Sequence, residues 1–261
     1  MTKSIFITGG GSGIGRATAI LFAHRGWRVG LGDVNAAAMA ETAAAIGGGG
    51  VSSHRLDVRD REQWAAALAE FAGPSGAIDV VFNNAGIAVS GPLMATPESE
   101  IDRIVAINFT GVVNGARAAH PYLKAAAPGA CLLNTASAAG IYGVAGAAVY
   151  AATKFAVRGL TESLDVEWAA DGIKVRSLMP GFIDTPLLDA VPAGSNETAR
   201  ERVRASGLEF TPVETVAEAA WAAVHGARVH TLVGKTARRL AFAARWMPGR
   251  LRSSLLARDA R

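Results

Sequence analysis

Short apolar runs alternate along the chain with stretches in which apolar residues recur every three or four positions. Runs of the first kind predict buried strands, and stretches of the second kind predict amphipathic helices. The predicted strands cover residues 5–7, 27–32, 51–56, 78–82, 130–134, 173–178 and 229–233. The predicted helices cover residues 16–25, 36–46, 61–71, 98–123, 149–170, 215–224 and 238–246. Strand and helix alternating at this interval indicate right-handed crossovers and a parallel sheet.

The pattern therefore predicts an α/β fold: a doubly wound, Rossmann-type parallel sheet of about seven strands, with helices on both faces, in a single domain. We expect this domain to span residues 1–235, with a basic tail at residues 236–261. Residues 182–212 are less regular, with proline or glycine at Pro186, Pro192, Gly194, Gly207 and Pro212. A connection of this length beside a ligand-binding edge is typical of a substrate-binding loop.

Composition indicates a globular protein of a reducing compartment. Of the 261 residues, 50% are hydrophobic and 18% are charged, so a large core is available. The one cysteine, Cys131, allows no internal disulfide. Residues 125–153 carry no charge, but Pro128, Asn134 and four glycines divide them into strand, loop and helix start, which indicates core and not a membrane span. An apolar strand stands where a signal peptide would, so we expect a cytoplasmic protein.

Charge is unevenly distributed along the chain. The net charge is +4 at pH 7, but residues 235–261 carry eight lysines and arginines against one acid, which gives +7 there and −3 for residues 1–234. In the least favoured interpretation, the arginines, Trp246 and leucines of the tail contact an anionic membrane surface. The tail could instead cover the substrate pocket or a partner subunit, or remain a solvated, partly disordered end. Without interleaved stacking aromatics, no nucleic-acid partner is expected. The scattered histidines predict no metal site.

A glycine-rich turn, Thr8-Gly-x-x-x-Gly13-x-Gly15, joins the first strand to the first helix. Glycines let the backbone approach a pyrophosphate closely, and the helix N-terminus offers unpaired N–H groups, although such a turn could also be merely structural. The second strand ends at Asp33, about twenty residues beyond the turn, where a carboxylate accepts hydrogen bonds from an adenosine ribose. A carboxylate there would repel a 2′-phosphate, which favours NAD over NADP. Asp33 could equally cap the helix at 36–46.

Further polar or glycine-rich segments follow the later strands. They are Asp57-Val58, Asn83-Asn84-Ala85-Gly86 and Ser137. Because the carboxyl ends of parallel strands meet at one edge of a sheet, these segments and the glycine turn are expected to line one crevice.

Tyr150 and Lys154 are four residues apart and share one helix face. A neighbouring ammonium favours the phenolate, so we expect Lys154 to lower the pKa of Tyr150 towards the range useful for proton transfer. Alternatively, the pair is a core tyrosine and a solvated lysine. Asn108 lies in an otherwise apolar helix, where it requires a hydrogen-bonding partner or has a functional role.

In this order and at these spacings, the motifs resemble those of the short-chain dehydrogenase/reductase family, in its single-domain branch of about this length. The resemblance covers residues 1–190 closely and the architecture to about residue 235. It implies an NAD(H)-dependent oxidoreductase that moves a hydride between nicotinamide and an apolar secondary alcohol or ketone. The motifs that carry it are the glycine turn, Asp57, Asn83-Asn84-Ala85-Gly86, Asn108, Ser137, Tyr150-x-x-x-Lys154 and Pro180-Gly181 with Thr185.

The resemblance also implies residue roles. Tyr150 would exchange the proton with the substrate oxygen, and Ser137 would hydrogen-bond that oxygen. Lys154 would lower the Tyr150 pKa and bind the nicotinamide ribose, and Asn108 would hold a water linking Lys154 to solvent. Cofactor contacts are implied for Gly9, Ser12, Gly13, Ile14, Gly15, Asp33, Asp57, Val58, Asn83, Ala85, Gly86, Tyr150, Lys154, Pro180, Gly181, Ile183 and Thr185.

Among these contacts, Asp57-Val58 would meet the adenine, Asn83 and Gly86 the ribose and diphosphate, and Ile183 with Thr185 the carboxamide. Ser12 stands where NADP-preferring relatives often carry a basic residue. Relatives of this type usually form homotetramers or homodimers through the two long helices, at 98–123 and 149–170 here.

The C-terminus departs from the family pattern, because an arginine-rich helix replaces the Gly-rich Asp-Gly-Gly segment of many relatives. This ending looks more like relatives that act on lipophilic alcohols. The expected pocket lining agrees, with Ile141, Tyr142, Val144, Phe182, Leu187 and Leu188. Two alternatives are an NADP(H)-dependent carbonyl reductase, against which Asp33 speaks, and a non-catalytic NAD-binding sensor or scaffold. The complete set of Asn108, Ser137, Tyr150 and Lys154 speaks against the latter.

Overall fold

The computed structural model describes residues 2–189, 191 and 195–259. Seven strands form one parallel sheet, and each begins within three residues of its predicted start. The strands are β1 (Ser4–Thr8), β2 (Arg28–Asp33), β3 (Val51–Arg55), β4 (Val80–Asn83), β5 (Cys131–Thr135), β6 (Lys174–Pro180) and β7 (His230–Val233). Their order across the sheet is β3-β2-β1-β4-β5-β6-β7.

Helices connect the strands and cover both faces of the sheet. They are α1 (Gly13–His24), α2 (Ala36–Ile46), α3 (Arg61–Ala72), α4 (Glu98–Val105), α5 (Gly111–Ala126), α6 (Ala148–Glu167), α7 (Ala199–Ala205), α8 (Val213–His225), α9 (Lys235–Trp246) and α10 (Pro248–Asp259). The strand order reverses between β1 and β4, and this switch point opens the crevice expected for a ligand.

The apolar strands place alternate side chains in two different cores. Ile5 and Ile7 pack with Phe22 of α1 and residues of α8 on one face, whereas Phe6 packs with Trp64 of α3 on the other. Successive side chains of a strand point to opposite faces, so a strand covered on both sides must be apolar at every position. The apolar runs of the sequence therefore reflect a doubly covered sheet.

Three elements differ from the sequence-based expectation. The helix predicted at 98–123 consists of α4 and α5 joined by a π-helical turn, Ala106–Thr110. The region 182–212, predicted to be irregular, contains α7, which begins at a capping box formed by Thr198 and Glu201. The tail, for which one interpretation was a solvated, partly disordered end, is helical to Asp259 in α9 and α10. Pro192, Gly194 and Arg261 lie outside the described residues.

Within the described ranges, no helix is both long enough and apolar enough to cross a lipid bilayer.

Candidate active site

The glycine turn between β1 and α1 forms a cradle that larger residues would fill. Gly9 and Gly13 have φ angles of +66° and +50°, a region that favours glycine. A Cβ atom on Gly15 would lie 2.1 Å from the carbonyl oxygen of Gly9. Ser12 is the N-cap of α1, yet its side chain makes no capping hydrogen bond. The first N–H groups of α1 are therefore available to an anion such as a diphosphate.

Asp33, the last residue of β2, lies directly beside this turn. One carboxylate oxygen accepts the N–H of Gly11 at 3.1 Å, and the other accepts the N–H of Asn35 at 3.0 Å. The cap of α2 is Asn35, whose side chain accepts the N–H of Ala38 at 3.1 Å. The alternative role of Asp33 as the cap of α2 is therefore wrong, and its charge faces the cradle.

Thr8 and Asn84 tie the glycine turn to the end of β4, a role that the sequence analysis missed. The Thr8 hydroxyl oxygen accepts the N–H groups of Asn84 and Ala85, each at 3.0 Å. The Asn84 side chain donates to the Thr8 carbonyl at 2.9 Å and accepts from the Thr135 hydroxyl at 3.2 Å. Both residues belong to motifs identified in the sequence, but the sequence does not reveal their hydrogen-bonding partners.

Asn83 does not present its side chain to the crevice, and its expected contact with the ribose and diphosphate stays a prediction for its backbone. The side chain is buried and donates to Asn134 at 3.0 Å and to the Val112 carbonyl at 3.3 Å. It thus joins β4 to β5 and α5 in the interior, and only its backbone remains for a ligand. Alternation along β4 places Asn83 on the face of the sheet that α5 covers.

Asp57 and Val58 follow β3 at the same edge. The Asp57 carboxylate is bound by the Arg59 guanidinium at 2.5 Å, and this hydrogen bond lowers the pKa of Asp57. Val58 is buried, and its carbonyl accepts hydrogen bonds from Trp64 and Asn114. The Asp57 carboxylate is thus ionised and held in place by Arg59. This partner was not predicted from the sequence.

Ser137 and Tyr150 are brought together by the loop after β5 and the first turn of α6. The Ser137 hydroxyl oxygen accepts the N–H of Ala139 at 3.1 Å, which leaves its own hydrogen free to donate. Burial of the phenol raises the pKa of Tyr150, and the neighbouring Ser137 hydroxyl opposes this effect only in part. The net direction is upward, so the expected lowering of the Tyr150 pKa is not found in the chain by itself.

Lys154 is buried one helical turn beyond Tyr150. Its Nζ donates to the carbonyl of Thr135 at 2.8 Å and lies 5.7 Å from the centre of the Tyr150 ring. Burial lowers the pKa of Lys154 to about 8. The alternative of a solvated lysine is therefore wrong. Lys154 contributes no resolved lowering of the Tyr150 pKa, because desolvation dominates the titration of both groups.

Asn108 is fully buried in the π-helical turn and holds the segment that follows β4. Its Oδ1 accepts the N–H of Ile87 and its Nδ2 donates to the Ile87 carbonyl, both at 2.9 Å. A Cβ atom on Gly86 would lie 3.2 Å from Asn108 Oδ1 and 3.7 Å from Lys154 Nζ. The polar group in this apolar helix is thus satisfied by backbone, and its expected role in holding a water stays a prediction.

The segment after β6 closes the far side of the cradle. Gly181 donates its N–H to the carbonyl of Val233 at 3.1 Å, and Ile183 and Thr185 are buried. The Thr185 methyl carbon would lie 3.2 Å from a Cβ atom on Gly13. The 180–185 segment therefore contacts the glycine turn directly.

Arg200 of α7 holds this segment in place and was also missed. Its guanidinium donates to the Thr185 carbonyl at 2.9 Å and to Asp189 at 2.7 Å, and it also pairs with Asp184. Its capping box, Thr198-x-x-Glu201, was the one signal in the sequence that could have revealed α7 and hence Arg200.

Comparison with known proteins decides the family. The short chain dehydrogenase family model matches residues 3–196, which is most of the chain. The chain belongs to the short-chain dehydrogenase/reductase family. Members of this family are oxidoreductases that act on alcohol and ketone groups.

Individual relatives agree in sequence and in fold. The 3-oxoacyl-[acyl-carrier-protein] reductase FabG of Thermotoga maritima is 36% identical over 77% of this chain and 82% of its own. The meso-2,3-butanediol dehydrogenase of Serratia marcescens is 33% identical over 90% of this chain and 95% of its own. A short-chain dehydrogenase from Burkholderia phymatum, solved in complex with NAD, superimposes with a TM-score of 0.85 at 28% identity, covering 97% of this chain and 95% of its own.

In this short-chain dehydrogenase, the predicted residues lie at the carboxyl edge of the sheet in two groups. The turn that carries Gly9, Ser12, Gly13, Ile14 and Gly15, together with Asp33, forms the cradle near β1 and β2. Ser137, Tyr150 and Lys154 lie at the end of β5 and on α6, with Gly86 and Asn108 beside Lys154. Pro180, Gly181, Ile183 and Thr185 connect the two groups. The arrangement fits an extended dinucleotide whose diphosphate lies at α1, and a nicotinamide cofactor agrees with the relatives.

Proposed function

We propose that this short-chain dehydrogenase is an NAD(H)-dependent alcohol dehydrogenase or carbonyl reductase that acts on an apolar secondary alcohol or ketone. The observation that carries the reaction is the placement of the Ser137 hydroxyl beside Tyr150, one helical turn from the buried amine of Lys154. The observation that carries the cofactor preference is the Asp33 carboxylate, held 3.1 Å from the backbone of the glycine turn.

The glycine cradle, Asp33 and the 180–185 segment would hold NAD(H), and the bound nicotinamide supplies or accepts the hydride. The Tyr150 phenol donates its proton to the carbonyl oxygen during reduction and takes it back during oxidation. Ser137 donates to the same oxygen, because Ala139 already occupies an acceptor position of its hydroxyl. Lys154 has one N–H bound to Thr135, and its remaining hydrogens would be available to the nicotinamide ribose.

Burial supports the proton-transfer role of this pair. The desolvated ammonium of Lys154, with a pKa of about 8, titrates close to physiological pH and responds strongly to nearby charge. Ser137 is buried and Tyr150 is partly buried, which makes each hydrogen bond to the substrate oxygen stronger than it would be in solvent. The chain thus provides a preorganised acid at the position where charge develops.

Replacing Tyr150 by Phe tests the reaction. The variant should bind NADH with unchanged affinity, measured by nicotinamide fluorescence, and lose about 10²- to 10⁴-fold in kcat with a panel of apolar secondary alcohols. Tyr122→Phe on α5 is the matched control and should retain both properties. Full activity in the Tyr150 variant would remove the proposed acid. NADH binding with no turnover by the unmodified protein would instead favour the sensor or scaffold function.

Titration of the purified protein with NADH and NADPH tests the cofactor preference. We expect NADH to bind at least about tenfold more tightly, which corresponds to about 1.4 kcal/mol. Asp33→Asn retains an acceptor for the Gly11 N–H but removes the charge, so NADPH affinity should rise relative to NADH. Asp102→Asn, an exposed change of the same charge on α4, should leave the ratio unaltered. Tighter NADPH binding by the unmodified protein would favour the NADP(H)-dependent carbonyl reductase.

A substrate of small to medium size and low polarity is supported by the surroundings of the site. Val144 and Leu187 expose apolar surface on the loops that follow Ser137 and Thr185. No charged residue occurs in residues 138–153, the stretch that contains Val144. A panel of aliphatic, cyclic and aryl secondary alcohols, compared by kcat/KM with polyols of equal size, measures this preference directly.

The assembly supported best is a homodimer or homotetramer paired through α4–α5 and α6. Val105, Phe155 and Val166 expose apolar side chains on these helices. Light scattering coupled to gel filtration tests this pairing, and Phe155→Glu should lower the mass. A monomeric mass for the unmodified protein would exclude it.

A further inference from the structure

The outward face of α9 combines arginines with exposed aromatic rings. Arg238, Arg239, Phe242, Arg245 and Trp246 recur three, four or seven positions apart and are all exposed. Phe242 is 59% exposed and Trp246 is 66% exposed, whereas the inward side of α9 is anchored by the fully buried Ala237. We name these five residues the arginine–aromatic face.

The charge of this face is not neutralised by its surroundings. No acidic residue occurs between Lys235 and Arg258 in the sequence. In the described part of the chain, the only ion pair of α9 joins Lys235 to Glu209 at 3.6 Å, and its three exposed arginines have none. The Arg245 guanidinium lies 5.2 Å from the centre of the Trp246 ring, so positive charge and aromatic surface are presented together.

Helix α10 also exposes arginines together with apolar surface. It exposes Arg250 and Arg252, and Leu256 is 55% exposed. The two helices are adjacent and contact each other. Residues 235–261 as a whole carry a net charge of +7, while the remainder of the chain carries −3. The positive charge is therefore concentrated in the C-terminal segment of the chain.

We propose that the arginine–aromatic face docks on the surface of an anionic phospholipid bilayer. Phenylalanine and tryptophan rings enter the boundary between headgroups and acyl chains, while flanking arginines bind lipid phosphates. Membrane docking explains why two large aromatic side chains, Phe242 and Trp246, are exposed to solvent beside unpaired arginines. A second copy of the chain fits less well, because a two-fold contact through this face would bring the same arginines against each other.

The packed side of α9, opposite this face, lies against segments of the candidate active site. The helix begins immediately after β7 and packs against Ala138–Gly140, which follow Ser137. A Cβ atom on Gly181 would lie 3.4 Å from the Cβ of Thr236 in the first turn of α9. Docking would therefore hold the substrate-binding end near the bilayer. The lipid contact itself requires neither cofactor nor turnover, so its test is independent of the proposed reaction.

The first experiment is co-sedimentation of the full chain with vesicles of phosphatidylcholine alone or with about 30 mol% phosphatidylserine. We expect binding to the anionic vesicles only, and its loss when the salt concentration rises from about 0.1 to about 0.5 M. The triple variant Arg238→Gln, Arg239→Gln, Arg245→Gln should bind on the order of a hundredfold more weakly, from roughly fivefold for each arginine.

A matched triple variant controls for net charge. Arg55→Gln, Arg117→Gln and Arg202→Gln remove three exposed arginines elsewhere and should leave sedimentation nearly unchanged. The proposal is overturned if both triple variants lose binding equally, or if the α9 variant binds as well as the unmodified protein. It is also overturned if the unmodified protein does not sediment with anionic vesicles.

Tryptophan fluorescence provides a second measurement that does not depend on the arginines. Trp246 is the most exposed of the five tryptophans, since Trp27, Trp64 and Trp168 are buried and Trp221 is partly buried. Anionic vesicles should shift its emission to shorter wavelength, and Trp246→Phe should abolish the shift while still sedimenting. Phe242→Ala with Trp246→Ala should weaken sedimentation at least about tenfold. A change in oligomeric mass of either α9 variant without lipid would assign the face to a subunit contact and overturn the proposal.

Discussion

Lys154 Nζ donates to the Thr135 carbonyl oxygen at 2.8 Å, and this bond fixes an otherwise desolvated amine at the end of β5. Burial lowers the pKa of Lys154 to about 8, whereas the unfolded chain has the ordinary lysine pKa. The unfolded state therefore binds more protons between these two values. The Lys154 contribution to the free energy of unfolding must rise with pH across this range, by up to about 3 kcal/mol.

Replacing Lys154 by Met should make this dependence visible. Below pH 8 the variant avoids the cost of a buried ammonium, so its stability relative to the unmodified protein should be highest there and should fall as pH rises towards about 10.5. Urea unfolding at several pH values measures the difference, in which all other titrating groups cancel. Lys3→Met, an exposed lysine, serves as control and should show no such trend. A difference independent of pH would contradict the lowered pKa.

Ser137→Ala removes the hydroxyl that opposes the effect of burial on Tyr150. The Tyr150 pKa, already raised by burial, should rise further. For alcohol oxidation, which needs the phenolate, the rising limb of log(kcat/KM) against pH should move to higher pH, with a loss of about 10²- to 10³-fold at neutral pH. Ser163→Ala, on an exposed position of α6, should leave the profile in place. If kcat/KM falls but the rising limb of the pH profile does not move, Ser137 orients the substrate and does not affect the Tyr150 pKa.

Two helical glycines should respond to alanine with opposite signs. A Cβ atom on Gly115 would lie 2.2 Å from Asn83 Oδ1 and 2.7 Å from the Trp64 ring, whereas one on Gly159 would meet nothing within 4 Å. Gly115→Ala should lower the free energy of unfolding by about 1–3 kcal/mol through overpacking. Gly159→Ala should raise it by about 0.5–1 kcal/mol through helix propensity. Thermal and urea unfolding of both variants measure this, and a stabilised Gly115 variant would show that α5 is not packed on Asn83.

The single thiol should be inert in the folded protein. Cys131 is fully buried in β5, and burial raises the pKa of its thiol to about 12. Because the thiolate is the reactive form, a disulfide reagent at pH 8 should modify no thiol in the native protein and one after unfolding in urea. Rapid labelling without denaturant would show that the sheet opens around β5 in the native protein. If the native thiol is unreactive, the same reaction can be used to measure global unfolding.

The sequence alone determined the sheet, its parallel direction and the family. Apolar runs at β1, β4 and β5 require burial on both faces, and glycines with φ values of +66° and +50° have few alternatives at the first turn. Motif order placed Asp33, Ser137, Tyr150 and Lys154 at one edge, because parallel strands bring their carboxyl ends together. These features follow from local geometry and burial, which a linear pattern records.

Only the tertiary structure decided which polar groups face the crevice and how they titrate. Asn83 points into the core and Asn108 binds the backbone of Ile87, because their partners come from elements distant in sequence. The upward direction of the Tyr150 pKa results from desolvation outweighing hydrogen bonding, a balance set by packing from several elements. Spacing along a helix shows that two residues are neighbours, but solvent exclusion and long-range contacts determine what their proximity does.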